Sequence, residues 1–313
     1  MNQQMIDNLA SRAGDVPAQL DVVALRQHSL DELQERGKRF IALVGEKETQ
    51  AGERGDWRTL DGQTAVLLTK GARATLYHPS GTLKYTAGLQ PLQALFVRAE
   101  DKDPAYLTRL VNEAAKKFDI NAWAGTDGKL VFERLWQVKA QGADRNARLS
   151  DEVLCRVVGA YRHFVNGTPV LGEASVALKL AGNGALDMLS VAVRDTTSEL
   201  VDKARIIDTE LAAKQIFGRL ESVLGHGKQA LASDQIESQT LRFGYLNLGK
   251  RSSQRLLAPV FMAQLVVRHK EERQAYLFAV AATEKAYLPL ERLAVEATPE
   301  QSRPAAALGR TLH

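Results

Sequence analysis

Asn166-Gly167 is the feature that most constrains how this chain can fold, because it joins two runs that have the composition of β-strands. Tyr161 to Val165 precedes it and is rich in aromatic and β-branched residues, and Thr168 to Leu171 follows it directly. Asn and Gly accept positive φ angles, and an Asn-Gly pair between apolar runs is the strongest short-range signal for a two-residue hairpin. The pair therefore predicts antiparallel strands here.

A second hairpin is predicted shortly after the first. Residues Val176 to Leu180 alternate between apolar and other side chains, which is the period of a strand with one buried face. Gly182-Asn183-Gly184 then supplies turn residues, and Leu186 to Val193 forms a return strand with one change of phase. The two successive hairpins therefore indicate the fold of this region, and their residues include no recognisable catalytic group.

The first hairpin contains a longer motif, an aromatic strand that runs into Asn166-Gly167-Thr168-Pro169-Val170-Leu171-Gly172. This motif resembles the propeptide segment of fungalysin and thermolysin, which belongs with the PepSY and YpeB-type modules. Those propeptides carry Asn-Gly-Ile-Pro-Val-x-Gly, so Thr168 stands in place of the usual Ile and Leu171 in place of the usual aromatic residue. The resemblance covers about residues 155 to 195. It implies a non-catalytic module of one helix and an antiparallel sheet that relatives use for inhibition, chaperoning or extracytoplasmic regulation.

Length and composition indicate a folded, soluble protein. The chain has 313 residues, enough for two or three domains, although one large domain is also consistent with this length. Hydrophobic residues make up 45% and charged residues 25%, close to the averages of globular proteins. Lys and Arg exceed Asp and Glu by 41 to 37, and the resulting charge of +4 is too small to indicate a nucleic-acid partner.

The compartment is left open between two alternatives. Cys155 is the single cysteine and is flanked by apolar residues, so we expect a small buried side chain and no intramolecular disulfide. No basic segment followed by an apolar run marks a secretory signal at the start, and no apolar stretch is long enough for an integral membrane segment. The protein is therefore expected to be cytoplasmic or, if a leader was removed, periplasmic or extracellular.

The sequence predicts three helices, each from a signal at its N-terminus. Ser29, with Glu32 three residues later, is a capping box, and Asp103-Pro104 and Asp208 open two further helices. Runs of strands follow each helix, which favours an α+β fold made of repeated modules of one helix packed on an antiparallel sheet. The predicted division is a 1–28 N-terminal arm, a 29–100 first module, a 101–200 propeptide-like module, a 201–296 third module and a 297–313 flexible tail.

No catalytic or metal motif is recognisable. The chain has no His-Glu-x-x-His pair for zinc, no phosphate-binding Gly-x-x-x-x-Gly-Lys loop and no Gly-x-Ser-x-Gly elbow. Leu248 to Ser253 superficially resembles a phosphate loop but lacks the upstream glycine, so we interpret it as a basic turn between strands. We expect no catalytic residue, no metal ligand and no cofactor.

The candidate binding residues come from the propeptide-like motif, from aromatic strands and from one glycine-flanked histidine. His163 is expected on an exposed sheet face, and an exposed, aromatic sheet next to an edge strand could hold an extended peptide. Gly225 to Lys228 is a loop after a helix, in which His226 could face a ligand. The predicted binding residues are Tyr161, His163, Asn166, Gly167, Pro169, His226 and Tyr245.

These observations favour a non-enzymatic protein that binds another protein or a peptide, as an inhibitor, a chaperone or an assembly factor. One alternative is an enzyme or small-molecule binder with a pocket between modules, lined by residues such as Arg162, His163, His226 or Tyr245. Another is a structural subunit of a bacterial assembly in which edge strands pair between copies, as in a homo-oligomer.

Overall fold

A computed structural model describes residues 3–45, 57–60, 64–68, 72–224, 235–269, 272–290 and 295–296. The contacts of the chain divide it into two units. The central unit comprises residues 23–201 and 245–257, and the terminal unit comprises residues 1–22, 202–244 and 258–313. Each unit is therefore formed by segments that are distant from one another in the sequence.

The Asn166-Gly167 hairpin is confirmed. Strand β7 (Val153–Val165) and strand β8 (Thr168–Leu171) are paired antiparallel, with Val165 opposite Thr168. Asn166 has φ of 48° and Gly167 has φ of 80°. Positive φ at both central residues is the requirement of the type I′ turn, whose twist matches that of the flanking strands. Local turn chemistry therefore determines this pairing.

The second hairpin is confirmed as well. Strand β9 (Val176–Leu180) pairs antiparallel with strand β10 (Leu186–Val191), and Gly184 in the turn has φ of 76°. A register shift between Leu186 and Met188 accounts for the change of phase in the apolar pattern of the return strand.

The sheet of the central unit is antiparallel through the order β6-β7-β9-β10-β5-β4-β3-β2. At the end of β7, β8 pairs in parallel with Tyr245 and Leu246 of strand β12 (Ile236–Leu246). The additional strand bounds are β2 (Trp57–Leu60), β3 (Thr64–Leu68), β4 (Arg73–Tyr77), β5 (Thr82–Thr86), β6 (Gly128–Ala140) and β13 (Leu256–Leu257).

Two helices pack on one face of this sheet. Helix α2 (Leu30–Gly45) begins at the predicted capping box, where the Glu32 carboxylate accepts from the Ser29 N–H at 2.9 Å. Helix α3 (Pro104–Lys117) begins after Asp103, whose carboxylate accepts two backbone N–H groups of the first turn. Short 3-10 helices span Ala99–Lys102 and Ile120–Trp123. Their shared core includes Leu33, Phe40, Leu76, Leu83, Leu107, Val111, Val157, Tyr161, Leu178 and Leu189.

The terminal unit also combines two helices with an antiparallel sheet. Helix α1 (Gln3–Ala10) and helix α4 (Thr209–Leu224) contact each other, and the strand order is β16-β15-β14-β12. Its core includes Met5, Ile6, Leu9, Ile216, Phe217, Phe261, Leu265 and Phe278. The remaining strand bounds are β1 (Gln19–Leu25), β11 (Thr196–Arg205), β12 (Ile236–Leu246), β14 (Pro259–His269), β15 (Glu272–Ala281) and β16 (Val295–Glu296).

The predicted α+β class with antiparallel sheets is confirmed, whereas the repeat of one helix per module is not. A sheet of eight strands spaced about 4.8 Å apart is about 34 Å wide, which accommodates two helices of about 10 Å diameter side by side. Helices α2 and α3 therefore share one sheet and one core.

The two units also differ from the predicted domain boundaries, since 29–100 and 101–200 both lie almost entirely in the central unit. The predicted arm includes helix α1 and strand β1, and Met5, Ile6 and Leu9 of α1 are buried. The predicted tail, 297–313, lies outside the described residues.

Candidate functional site

Tyr161, a predicted binding residue, is part of the core of the central unit. Its side chain is buried, and its hydroxyl donates to Asn112 Oδ1 at 2.8 Å on helix α3. Burial raises the pKa of Tyr161 to about 12, because the phenolate would lose its hydration in this environment. Tyr161 ties the sheet to α3 from the interior.

His163 is also buried, so its expected exposure on a sheet face is wrong. Strand alternation places it on the same side of β7 as Tyr161, the side that the helices cover. Its Nε2 lies 3.0 Å from the Ala124 carbonyl oxygen, which accepts, and its Nδ1 is buried without a hydrogen-bond partner among the described residues. Burial lowers the pKa of His163, against the opposing effects of the Ala124 carbonyl and the Asp195 charge.

The other predicted binding residues lie in different environments. Tyr245 is fully buried in β12, opposite Val170. Asn166 and Gly167 are exposed at the tip of the β7–β8 turn, and Pro169 is half-buried in β8. His226 lies outside the described residues. Since three of the seven side chains are in the interior, a surface for a partner must be formed by other residues, and the binding role of these seven stays a prediction.

Arg162, considered for a pocket, anchors β8 instead. Its guanidinium donates to the Glu133 carboxylate at 2.7 Å and to the carbonyl oxygens of Val170 and Glu173 at 2.9 and 3.0 Å. These bonds use the side chain to hold the strand that follows the Asn-Gly turn. The role is structural and explains a basic residue in the middle of an apolar strand.

The outer face of β6 is the most distinctive surface of the central unit. On the opposite face, Leu130, Phe132 and Leu135 pack against the core. The outward-facing side chains are all exposed, and the apolar ones expose 39% (Val131), 43% (Trp136) and 43% (Val138) of their surface. We call this set the β6 face: Lys129, Val131, Arg134, Trp136 and Val138.

The β6 face combines apolar and positively charged groups. The Arg134 guanidinium lies 5.5 Å from the centre of the Trp136 ring, and Lys129 Nζ lies 5.7 Å from that of Phe164 on β7. Neither cation has a carboxylate within salt-bridge distance among the described residues. A cation over an aromatic ring is attracted by the ring quadrupole, and this contact, unlike a salt bridge, brings no negatively charged group.

Strand β6 is also an edge strand. It pairs along its length with β7 and with no other strand in the described part of the chain. Two register shifts interrupt this pairing, between Phe132 and Arg134 and between Val138 and Lys139. Bulges and charged residues are the usual protection of an edge against uncontrolled pairing. The edge position of β6 depends on long-range pairing, which no local sequence signal indicates.

Groups that could hold a metal ion are absent from the described ranges, where no three His, Cys, Asp or Glu side chains converge. Among the described helices, none has both the length and the apolar character needed to cross a bilayer.

No family model matches the sequence, and no curated protein matches it. Among solved structures, the chain is similar to an uncharacterized protein from Eubacterium rectale, with 10% sequence identity and a TM-score of 0.43. The match covers 87% of this chain and 86% of the other. This likeness carries no functional argument, and the resemblance to PepSY and propeptide modules stays a prediction.

Proposed function

We propose that this protein binds an extended segment of another polypeptide along β6. The observation that carries the proposal is the β6 face, where Val131, Trp136 and Val138 are each about 40% exposed on an edge strand. An added strand would satisfy backbone groups along the edge, and its side chains would cover the β6 face. An inhibitor, a chaperone or an assembly factor would all use the surface in this way.

The apolar side chains are the source of affinity. Fully burying one large apolar side chain stabilises by about 1.5 to 3 kcal/mol. Trp136 lies opposite the half-buried Val158, so a partner residue placed over this pair would cover a continuous apolar area. Tryptophan is enriched among the few residues that dominate binding energies. Trp136 is therefore the expected centre of the interface.

The charges on β6 indicate the chemistry of the partner. Glu133 is already bound by Arg162 at 2.7 Å, and Lys139 is bound by Glu152 at 2.8 Å. Lys129 and Arg134 remain as cations on the β6 face. Complementary charges steer association and disfavour wrong partners. We therefore expect a partner segment in which apolar residues alternate with Asp or Glu.

A second copy of the chain is the alternative partner for this edge. Two β6 strands paired antiparallel about Arg134 would place this cation opposite its own copy, and like charges opposite each other destabilise strand pairs. The net positive charge of β6 therefore favours a different, acidic chain over self-association.

The proposal is tested by selecting peptides from a displayed random library on the immobilised full-length protein. We expect enrichment of extended sequences with alternating apolar and acidic residues. Trp136→Ala should weaken binding of a selected peptide by at least about thirtyfold, which corresponds to about 2 kcal/mol. Protection of β6 amides by the peptide in hydrogen exchange would identify strand addition.

Matched valine substitutions provide the control. Val138→Gln and Val201→Gln replace an apolar side chain by a neutral polar one at residues that are 43% and 45% exposed on β6 and β11. The first should weaken peptide binding and the second should leave it unchanged. Equal effects of the two variants, or enrichment of no common pattern, would contradict the proposal. A peptide-independent dimer that Trp136→Ala dissociates would instead assign the edge to self-association.

A further inference from the structure

A small polar cavity lies in the central unit, away from β6. It has a volume of about 100 Å3 and is formed by the segment after β1, the first turns of α2, the turn after β4 and the segment after β10. At about 30 Å3 per water molecule, this space holds about three waters or one small polar group. Its lining includes Arg26, His28, Arg36, Arg194, Asp195 and Ser253, and we call it the Asp195 cleft.

The carboxylate of Asp195 is already paired. His28 Nε2 lies 2.7 Å from its Oδ2, and Arg36 Nη1 donates to the same oxygen. Burial alone would raise the pKa of Asp195, but the hydrogen bond from His28 and the charge of Arg36 outweigh it and lower that pKa. Asp195 thus remains ionised, and its charge is offset by the groups that hold it.

Arg194, in contrast, is a buried cation without a carboxylate among its described partners. Only 6% of the residue is exposed. Its guanidinium donates to neutral acceptors, the carbonyl oxygens of Gly249, Ser252 and Pro79 at 3.0, 2.9 and 3.3 Å and the side-chain oxygen of Asn247 at 3.2 Å. Burial lowers its pKa to about 10. Buried charges are generally paired, so this cation lacks its usual counterion.

The cleft carries a net positive charge. Among the described residues, three arginines line it, Arg26, Arg36 and Arg194, whereas the carboxylates in contact with them are Asp195 and Glu32, which binds Arg26 at 2.6 Å. The three arginines and two carboxylates therefore leave one positive charge unbalanced, and the buried Arg36 Nε–H has no acceptor among the described residues.

We propose that the Asp195 cleft binds a small oxyanion, such as inorganic phosphate or a carboxylate group. Guanidinium groups bind oxyanions through charge-assisted hydrogen bonds, and Arg36 and Arg194 both line the cleft. The available volume suits a group of a few heavy atoms. Asp195 and His28 hold Arg36 in place by the contacts described above. The site uses no residue of β6, so it is independent of peptide binding.

The test measures the unfolding temperature of the full-length protein with phosphate, with acetate and with chloride at equal ionic strength. A ligand that binds the folded state stabilises it in proportion to the logarithm of its concentration over Kd. We expect phosphate or acetate to raise the unfolding temperature above the chloride value, and the larger shift of the two identifies the preferred oxyanion. Equal unfolding temperatures in all three salts would overturn the proposal.

A substitution at the mouth distinguishes the site from a general salt effect. Arg36 and Arg194 hold the fold together, so the exposed Ser253 is changed instead. Ser253→Glu should weaken oxyanion binding by about tenfold through charge repulsion, and Ser253→Lys should not weaken it. Gln264→Glu, on an exposed position of β14, makes the same change in net charge and should have no effect. Equal weakening by Ser253→Glu and Gln264→Glu, or by neither, would overturn the proposal.

Discussion

Strands β6 and β7 are the two arms of one hairpin, but their residues differ in solvent exposure. Each has 13 residues, and they are paired from Gly128 opposite Val165 to Ala140 opposite Val153. Residues of β7 are mostly buried, whereas the outward-facing residues of β6 are all exposed. The difference arises because β7 also pairs with β9 and β8, while β6 pairs with β7 alone among the described strands. Position in the sheet, more than composition, decides whether an aromatic residue stabilises the fold or faces solvent.

The largest expected effect is on the β7 side of this comparison. Tyr161→Ala removes a buried aromatic ring that stacks edge-on with Phe132 and binds Asn112. Loss of a buried aromatic side chain costs about 3 to 5 kcal/mol. Urea denaturation should show a decrease of that size in the free energy of unfolding. A decrease below about 1 kcal/mol would contradict the assignment of Tyr161 to the core.

The second-largest decrease in the free energy of unfolding is expected when a side chain is added at a tightly packed position of the same strand. A Cβ atom added at Gly159 would lie 2.0 Å from Val111 Cγ1, so Gly159→Ala forces β7 away from helix α3. Such strain costs typically about 1 to 3 kcal/mol. The double variant with Val111→Ala should recover part of the loss in a denaturation series. Additive losses in the double variant would show that the two positions are not in contact.

The pH dependence of stability should report the burial of His163. In the unfolded chain a histidine has a pKa of about 6.5, and burial lowers the pKa of His163 in the folded state. The unfolded chain therefore binds more protons between these two pKa values, and the free energy of unfolding falls as the pH drops through that interval. His163→Gln should flatten this dependence, relative to the original protein, as the pH falls below about 6.5. Parallel curves for the two proteins would contradict a buried, neutral imidazole.

The smallest effect on stability is expected on the β6 side. Trp136→Ala removes a side chain of the same size class as Tyr161, but from a position that is 43% exposed. Surface substitutions usually change the free energy of unfolding by less than about 0.5 kcal/mol. Trp136→Ala should therefore leave the denaturation midpoint nearly unchanged while it weakens peptide binding by at least about thirtyfold. A loss comparable to that of Tyr161→Ala would mean that Trp136 serves the fold and not a partner.

Local signals explain which parts of the fold were predictable. The Asn166-Gly167 turn, the Ser29 capping box and the start of α3 at Pro104 each depend on residues within a few positions of one another. Strand β11 was not predicted, because Thr196–Arg205 is mainly polar and charged and lacks a clear apolar alternation. A strand of this kind is recognisable only from its pairing.

Long-range pairing explains what the sequence could not indicate about the sites. His28 and Asp195 are 167 positions apart, and their contact depends on the packing of α2 against the strands. His163 was expected on the surface because a histidine between Arg162 and Phe164 resembles an exposed position. Its burial follows from the helices that cover that side of β7. The edge position of the β6 face likewise depends on long-range pairing, since β6 pairs only with β7 among the described strands.

Hydrogen exchange of the full-length protein, alone and with a selected peptide, tests the central contrast most directly. Exchange reports the local opening of hydrogen-bonded structure residue by residue. In the free protein, we expect slow exchange throughout β7 and fast exchange at alternate amides of β6, where the N–H groups face away from β7. Added peptide should slow those β6 amides specifically. Uniformly slow exchange in free β6, or protection that appears elsewhere on peptide addition, would contradict the account.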